Sequence, residues 1–396
     1  MSSVLVTNVG LVVPGDPSVG TSRDTTICIE DGVVTGIGGD LSTPDMVIDA
    51  NGLTAIPGLI DGHVHPTFGD WTPAQNTIGW SRNYLHGGTT QMVSAAELHV
   101  PGLPFEDLTP ELVIALARVS RETTGRVEPG GAQMHCGTVL LVPGMKESHF
   151  DEMVEISLQH LKFIFFDWGK ADWSEAQTYV RWARERNLVV KIHSGGVSRS
   201  GSSRVAGHDV MAAVGPDVVA HVSGGPIPMP DEEIIRSIDD LPEAGIEVCS
   251  SMNYRATKIV VEHLTDIGRL DQLTLGTDTP GGTGVIPRGM LRNMCFLSSI
   301  CDLSPEASVS AATFNTARAH RIEGGSLAVG ARADIVLLGP IQGSRATDAL
   351  DCFALGDLPG ISMVLVDGKP VIRGRSEQTP PPNRLASIVG PGDGGR

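Results

Sequence analysis

Apolar and polar positions along the chain fall into three textures. Between residues 3 and 56 they alternate with a period of two, in Ser3-Val4-Leu5-Val6-Thr7-Asn8-Val9, Thr25-Thr26-Ile27-Cys28-Ile29-Glu30, Val33-Val34-Thr35-Gly36-Ile37 and Val47-Ile48-Asp49-Ala50. Neighbouring side chains of a strand point to opposite faces, so this pattern predicts half-buried strands. Asp31-Gly32 sits between two of them as a hairpin turn. From Gly58 to about Ile322 short apolar runs take over: 89–94, 161–166, 188–192, 218–220, 246–249 and 273–276. Between them lie stretches of helical spacing, such as Ser174 to Arg186, where Ala176, Val180 and Ala183 form one apolar stripe. After about residue 325 the β-pattern returns in 330–338 and 361–372, the latter as a hairpin around Asp367-Gly368. The Pro/Gly-rich tail from Thr379 reads as a loose segment or one that wraps a neighbour.

Strands alternating with helices imply βα units and a parallel sheet, hence an α/β fold. A (β/α)8 barrel of the TIM type is expected over an open sheet for a specific reason. Polar candidates recur at the C-terminal ends of many separate strands, and in a barrel those ends meet at one mouth. The expected division is residues 1–57 and 323–396 for a small β-unit and 58–322 for the barrel, since 396 residues exceed one simple core.

Composition narrows the partners. Hydrophobic content of 41% with 19% charged residues describes an ordinary globule, and Gly 48 with Pro 26 suits many short elements joined by tight turns. A formal charge of −17 disfavours nucleic acid and anionic membrane, which are gripped through Lys and Arg. No apolar run approaches membrane-span length, and Met1 to Val13 lacks the basic and apolar blocks of a signal peptide. Cys28, Cys136, Cys249, Cys295, Cys301 and Cys352 are scattered, which reads as reduced thiols in a cytoplasmic protein.

The chemistry concentrates in Pro57-Gly58-Leu59-Ile60-Asp61-Gly62-His63-Val64-His65-Pro66. Residues two apart on a strand share a face, so His63 and His65 can aim both rings at one point. Three single residues follow other strand-like runs: His193 before Ser194-Gly195-Gly196, His221 before Val222-Ser223-Gly224-Gly225, and Asp278 after Leu273-Thr274-Leu275-Gly276-Thr277. A lone histidine at a strand end is more often a hydrogen-bonded core residue. Five such residues, in the order His-x-His, His, His, Asp, point instead to one or two divalent metal ions, with Zn, Fe and Mn all suited to the donor set. A carboxylate beside a metal stays ionised, so Asp278 can be both a ligand and the catalytic proton acceptor.

The Pro57-to-His65 motif and the three later positions resemble the amidohydrolase superfamily. The resemblance implies a β-sandwich completed by both chain ends and a proton-shuttling role for Asp278. For a two-metal centre it also implies a bridging carboxylate from the fourth barrel strand. Asp167 falls at that strand end by register, while Lys162 sits where other members carry a carboxylated lysine; Asp167 is the preferred ligand. His193-Ser194-Gly195-Gly196, His221-Val222-Ser223-Gly224-Gly225-Pro226 and the block from Asp278 to Cys295 are similar to the enamidase group. Its members open the ring of a partly reduced 6-oxonicotinate in nicotinate breakdown and form homotetramers. The implied activity is hydrolysis of a small, possibly carboxylated cyclic amide by metal-activated water, with ammonia released. His135, Asn253 and Arg255 are the expected substrate contacts, with Arg199 and Arg204 as further carboxylate-holding candidates. A hydantoinase-like or dihydropyrimidinase-like cyclic amidase is the alternative, which Lys162 would favour. An aminohydrolase would need a glutamate near His221 that the sequence does not offer.

Overall fold

The computed structural model describes residues 2–66, 71–72, 77–96, 103, 107–124, 132–164, 173–196, 206–224, 227–251 and 253–390. The alternating N-terminal stretch forms β1 (Ser3–Val12), β2 (Ser22–Glu30), β3 (Val33–Ile37), β4 (Met46–Asp49) and β5 (Thr54–Pro57). A one-residue break at Gly58 separates β5 from β6 (Leu59–Val64), so the apolar run ahead of the histidines is two strands. A small ribbon, β7 (Trp71–Thr72) with β8 (Thr77–Ile78), follows, and then the alternation begins.

Its first half comprises α1 (Trp80–Leu85), β9 (Thr89–Ser94), α2 (Pro110–Thr124), β10 (Gln133–His135), β11 (Val139–Leu140), α3 (Glu147–Glu155), β12 (His160–Phe163) and α4 (Ser174–Glu185). The second half comprises β13 (Val189–His193), α5 (His208–Val214), β14 (Val218–Ala220), α6 (Asp231–Asp240), β15 (Gly245–Cys249), α7 (Tyr254–Asp266) and β16 (Leu273–Gly276). Helices α8 (Gly289–Ser299), α9 (Pro305–Ala312) and α10 (Phe314–His320) then lead to β17 (Ile335–Gly339), α11 (Ala349–Leu355), β18 (Gly360–Val366), β19 (Lys369–Ile372) and β20 (Ser387–Ile388).

Local chemistry sets several of these limits. Helix α4 buries Ala176, Tyr179, Val180 and Ala183, an i, i+3, i+4, i+7 stripe, and ends where Asn187 takes a left-handed φ of 56°. Helix α9 begins at Ser304, whose side chain accepts from the Ala307 amide, with Pro305 in its first turn.

β6 and the strands from β9 to β16 form a parallel (β/α)8 barrel. One arc runs β6–β9–β10 and the other β11–β12–β13–β14–β15–β16. Strands β10 and β11 are two halves of the third barrel strand, interrupted where Gly137 adopts φ +96°. A side chain at Gly137 would meet Leu158 and the Ala117 carbonyl, so the turn needs glycine. Thr138 bridges the gap by donating to the Ser94 carbonyl at 2.7 Å. The ring closes between the last and first strands: the Asp278 amide donates to the His63 carbonyl at 2.8 Å, and the His65 amide to the Thr279 carbonyl at 2.6 Å.

The chain ends share a nine-stranded sheet of order β19-β18-β17-β5-β1-β2-β3, with β4 on β1 and β20 on β4. β17 lies antiparallel to β5 and so joins the C-terminal strands to the N-terminal ones. This sheet has its own core, including Val6, Ile27, Ile48, Leu337 and Met363. The tail does not hang free: β20 pairs with β4, and Thr379 accepts from the Ile361 amide.

Phe150 on α3 is fully buried against Tyr179 and Trp182 of α4, with ring centroids at 5.7 and 5.5 Å. Phe150→Ala is expected to cost about 3–5 kcal/mol in denaturant unfolding. A loss below about 1 kcal/mol would contradict that packing.

Candidate metal centre

Strand β6 supplies His63 as its penultimate residue and His65 just past its end. Three features fix this strand against β16. Gly276 faces His63 so closely that a Cβ there would lie 2.6 Å from the His63 Cβ. The buried Asp61 carboxylate accepts from the Thr277 amide at 2.8 Å, the Thr277 hydroxyl at 2.5 Å and the His63 amide at 3.1 Å. The two closing backbone bonds complete the seam. His221 and Asp278 follow their strands with positive φ values of 39° and 61°. Such conformations are costly for residues with a Cβ and persist only where the surroundings hold them.

The result is a tight cluster. His63 Nε2 lies 3.3 Å from His65 Nε2; Asp278 Oδ1 lies 3.1 Å from His65 Nε2 and 3.6 Å from His63 Nε2. The His221 ring stands 5.2 Å from that of His63 and 4.1 Å from that of His193. The tautomers follow from the outer contacts. His63 Nδ1 faces a Glu247 carboxylate oxygen at 2.6 Å and His65 Nδ1 faces the Ala96 carbonyl at 3.2 Å, so each Nδ1 carries the proton and donates. Both Nε2 atoms then turn their lone pairs toward each other and toward a carboxylate. Three electron-rich atoms in contact call for a cation between them, and this donor set fits a divalent metal. His221 Nδ1 is also buried without a hydrogen-bond partner among the described residues.

Electrostatics favours the same state. Burial, reinforced by nearby lysines and histidines, holds the His63 and His193 rings far below the ordinary histidine range and the His221 ring at about 4. Burial alone would raise the Asp278 carboxyl, but its contacts with His65, His63 and His221 outweigh burial and hold it well below the usual range. Lys162 on β12 is buried with no partner for its Nζ among the described residues; burial and then Lys191 bring it down to about 7.

Of the other expected site residues, Asp167, Arg199 and Arg204 lie outside the described residues. The three expected substrate contacts are engaged elsewhere. His135 faces Gln91 Oε1 at 2.8 Å and has His160, His320 and Arg332 as neighbours. His135 ends β10, in register with Val93 near the end of β9. Asn253 is exposed and caps α7 by accepting from the Ala256 amide at 3.1 Å; Arg255 is exposed and pairs with Asp231. Asparagine is a preferred N-cap, and a helix-face arginine readily finds an acid on a neighbouring helix.

Comparison with known proteins agrees with this geometry. Residues 175–371 match the amidohydrolase family model. Across 394 residues the chain is 36% identical to the enamidase of Eubacterium barkeri, covering 98% of this chain and all of that one. The chain belongs to the amidohydrolase family. As an amidohydrolase it is an enzyme that hydrolyses carbon–nitrogen bonds. The crystal structure of enamidase, described as a new member of the amidohydrolase superfamily, superposes with a TM-score of 0.91 at 35% identity, over 98% of this chain and 100% of that one. The imidazolonepropionase of Mycolicibacterium smegmatis is 26% identical over 92% of this chain and 96% of its own. A Thermus sp. D-hydantoinase shares the fold, with a TM-score of 0.64 at 18% identity over 94% and 97% of the two chains.

The sequence reading missed Lys191 and Glu247 of this amidohydrolase. Both lie inside the barrel, 3.0 Å apart, directly beneath the histidines. Each is a charge in an otherwise apolar strand, Val189-Val190-Lys191-Ile192 and Ile246-Glu247-Val248, and Lys191 shares a strand face with His193. That combination was the available signal. Burial pushes the Glu247 carboxyl up, but Lys191 and Lys162 outweigh it and leave it below the ordinary value. His63, Glu247 and Cys249 form a second group with ligand spacing. The Lys191 ammonium already supplies the cation there, so a metal would be repelled.

Burial keeps His135 at about 4 and His160 at about 3, and holds His320 well below the ordinary range, alongside His63, His193 and His221. Unfolded histidines titrate near 6.5, so below about that pH the unfolded state takes up protons that the folded state refuses. Stability is therefore full above about 6.5 and is lost as pH falls toward these folded values. Asp61, pushed up to about 7 by burial, works in the opposite sense, but as one group against several. The thermal midpoint of metal-free protein is expected to fall steadily from about pH 7 to about pH 5. A flat profile would refute the neutral burial of these rings.

Proposed function

We propose that this amidohydrolase opens a cyclic amide at a divalent-metal centre held by His63, His65, His193, His221 and Asp278, as an enamidase does. The observation that carries this reading is the group of ligand atoms from His63, His65 and Asp278, within 4.8 Å of one another, in a chain that aligns with an enamidase end to end. One or two ions of Zn or Fe, with Mn also suited, agree with imidazole and carboxylate donors. A divalent cation there would polarise the amide oxygen and make water acidic enough to react near neutral pH. The chain's own residues do the rest. Neutral imidazoles hold and orient, and the barrel mouth gathers them from separate strands. Asp278, ionised, accepts the proton released by the attacking water and passes it to the ring nitrogen as the C–N bond breaks. The hydroxyl ends on the acyl carbon and the proton on nitrogen. Where that nitrogen carries a vinylic carbon the product is an enamine, whose imine tautomer adds water and loses ammonia. This chemistry suits N-heterocycle catabolism of the nicotinate type.

For a bridging ligand the buried, unpartnered Lys162 amine supports Lys162 over Asp167. A neutral amine is the form that adds carbon dioxide to give a carbamate. The same residue supports the second reading, a hydantoin-type or dihydropyrimidine-type amidase. Among the described residues no helix is long and apolar enough to cross a membrane, and Cys28, Cys249, Cys295, Cys301 and Cys352 are not in disulfides. A cytoplasmic homotetramer acting on a small molecule, with the barrel over 58–322 and the flanking sheet over 1–57 and 323–396, completes the proposal.

Ammonia release from tetrahydro-oxonicotinate, with hydantoin and cytosine as competing substrates, tests the reaction. Turnover of cytosine alone would overturn the cyclic-amide reading. Asp278→Asn is expected to lower kcat at least about a hundredfold, the usual scale of a lost general base; near-parent turnover removes its proton role. For the bridge, Lys162→Ala is expected to lower metal stoichiometry while Asp167→Ala retains it, measured by elemental analysis, and the reverse result restores Asp167.

A further inference from the structure

The chemistry above leaves unused the ion pair beneath the histidines. Lys191 of β13 and Glu247 of β15 are almost wholly buried, at 2% and 0% exposure. Replacing a buried ion pair by apolar side chains of similar volume is often neutral or stabilising, so stability alone is a weak reason for one. Its contacts suggest another reason. Glu247 Oε1 accepts from His63 Nδ1 at 2.6 Å, from the His221 amide at 3.2 Å and from the Cys249 thiol at 3.5 Å. Glu247 Oε2 accepts from Lys191 Nζ at 3.0 Å. Lys191 Nζ also donates to the Gly62 carbonyl at 2.5 Å, on the peptide that leads into His63.

We propose that Glu247 and Lys191 are positioning residues of the metal centre. Glu247 fixes the tautomer and orientation of His63 and tethers the His221 backbone, while Lys191 balances Glu247 and grips the chain just ahead of His63. The inference rests on the reading of His63 as a metal ligand. One carboxylate oxygen touches two of the histidines, one through its ring and one through its backbone. With Nδ1–H committed to Glu247, the lone pair of His63 can lie only on Nε2, the atom facing His65 and Asp278. In E247Q the amide can turn its NH2 toward Nδ1, which moves the ring proton to Nε2 and blocks that lone pair. Loss of such an outer partner typically weakens metal binding about 10–100-fold.

The test is zinc affinity of the metal-stripped full chain, by competition with a chelating dye, beside the thermal midpoint of the same metal-free samples. Parent and H63A set the scale, and H63A is expected to lose zinc. E247Q is expected to bind zinc about 10–100-fold more weakly than the parent. In K191M/E247L the buried charges are gone, so its midpoint is expected to match or exceed that of either single variant while zinc affinity stays low. That split separates positioning from plain structural support, and it decides the matter even if E247Q fails to fold. Parent-like zinc affinity in E247Q, or joint recovery of midpoint and affinity in K191M/E247L, would overturn the positioning role alone. A parent chain that binds no zinc would overturn the metal centre and the inference with it.

Discussion

The seam between the first and last barrel strands is the constraint on which the site depends. Asp278 donates its amide to the His63 carbonyl, and His65 donates its amide to the Thr279 carbonyl. These bonds place the carboxylate of one strand over the imidazoles of the other. Asp61 reinforces them through Thr277 and the His63 amide, and Gly276 lets the strands approach without a Cβ between them. Without the seam, His63 and Asp278 would be more than two hundred residues apart in the chain with no reason to meet.

Closing the barrel also buries a large number of polar groups, which must be neutral or paired. Both solutions are present. The histidines are neutral because burial and neighbouring cations oppose their protonation, which leaves them in the ligand form. Glu247 stays charged because Lys191 lies against it. Lys162 remains the exception, a buried amine whose Nζ has no hydrogen-bond partner among the described residues. An amine in that condition, beside a cluster of metal-type donors, is itself a sign of chemistry.

The sheet made from the chain ends contributes support, not ligands. β5 runs directly into β6 across Gly58, and Asp334, at the start of β17, accepts from the Gly58 amide through its carbonyl. The strand that carries the histidines is thus anchored at its start by the flanking sheet. A change in that sheet can reach the site through one short connection.

Much of this was legible in the sequence. Period-two alternation marked β1 to β4, while Asp367-Gly368 after an apolar run marked the hairpin of the wholly buried β18 with β19. Apolar runs marked the barrel strands, because each is covered on both sides. The His-x-His pair and the single residues at later strand ends could be picked out because a strand's C-terminal end in a βα unit has only one place to point. The third strand escaped because Gly137 divides it into pieces too short for any periodicity to show. The cap contact of Asn253 and the ion pair of Arg255 depend on neighbours that the sequence does not bring near. By itself, then, the sequence determined the strand–helix alternation and which side chains could serve a metal, since both depend on local spacing. Only the tertiary structure decided that Glu247 and Lys191 stand under His63, that His135 meets Gln91, and that the Lys162 amine is left without a hydrogen bond among the described residues. Those facts are distances between strands, and a linear chain carries no measure of them.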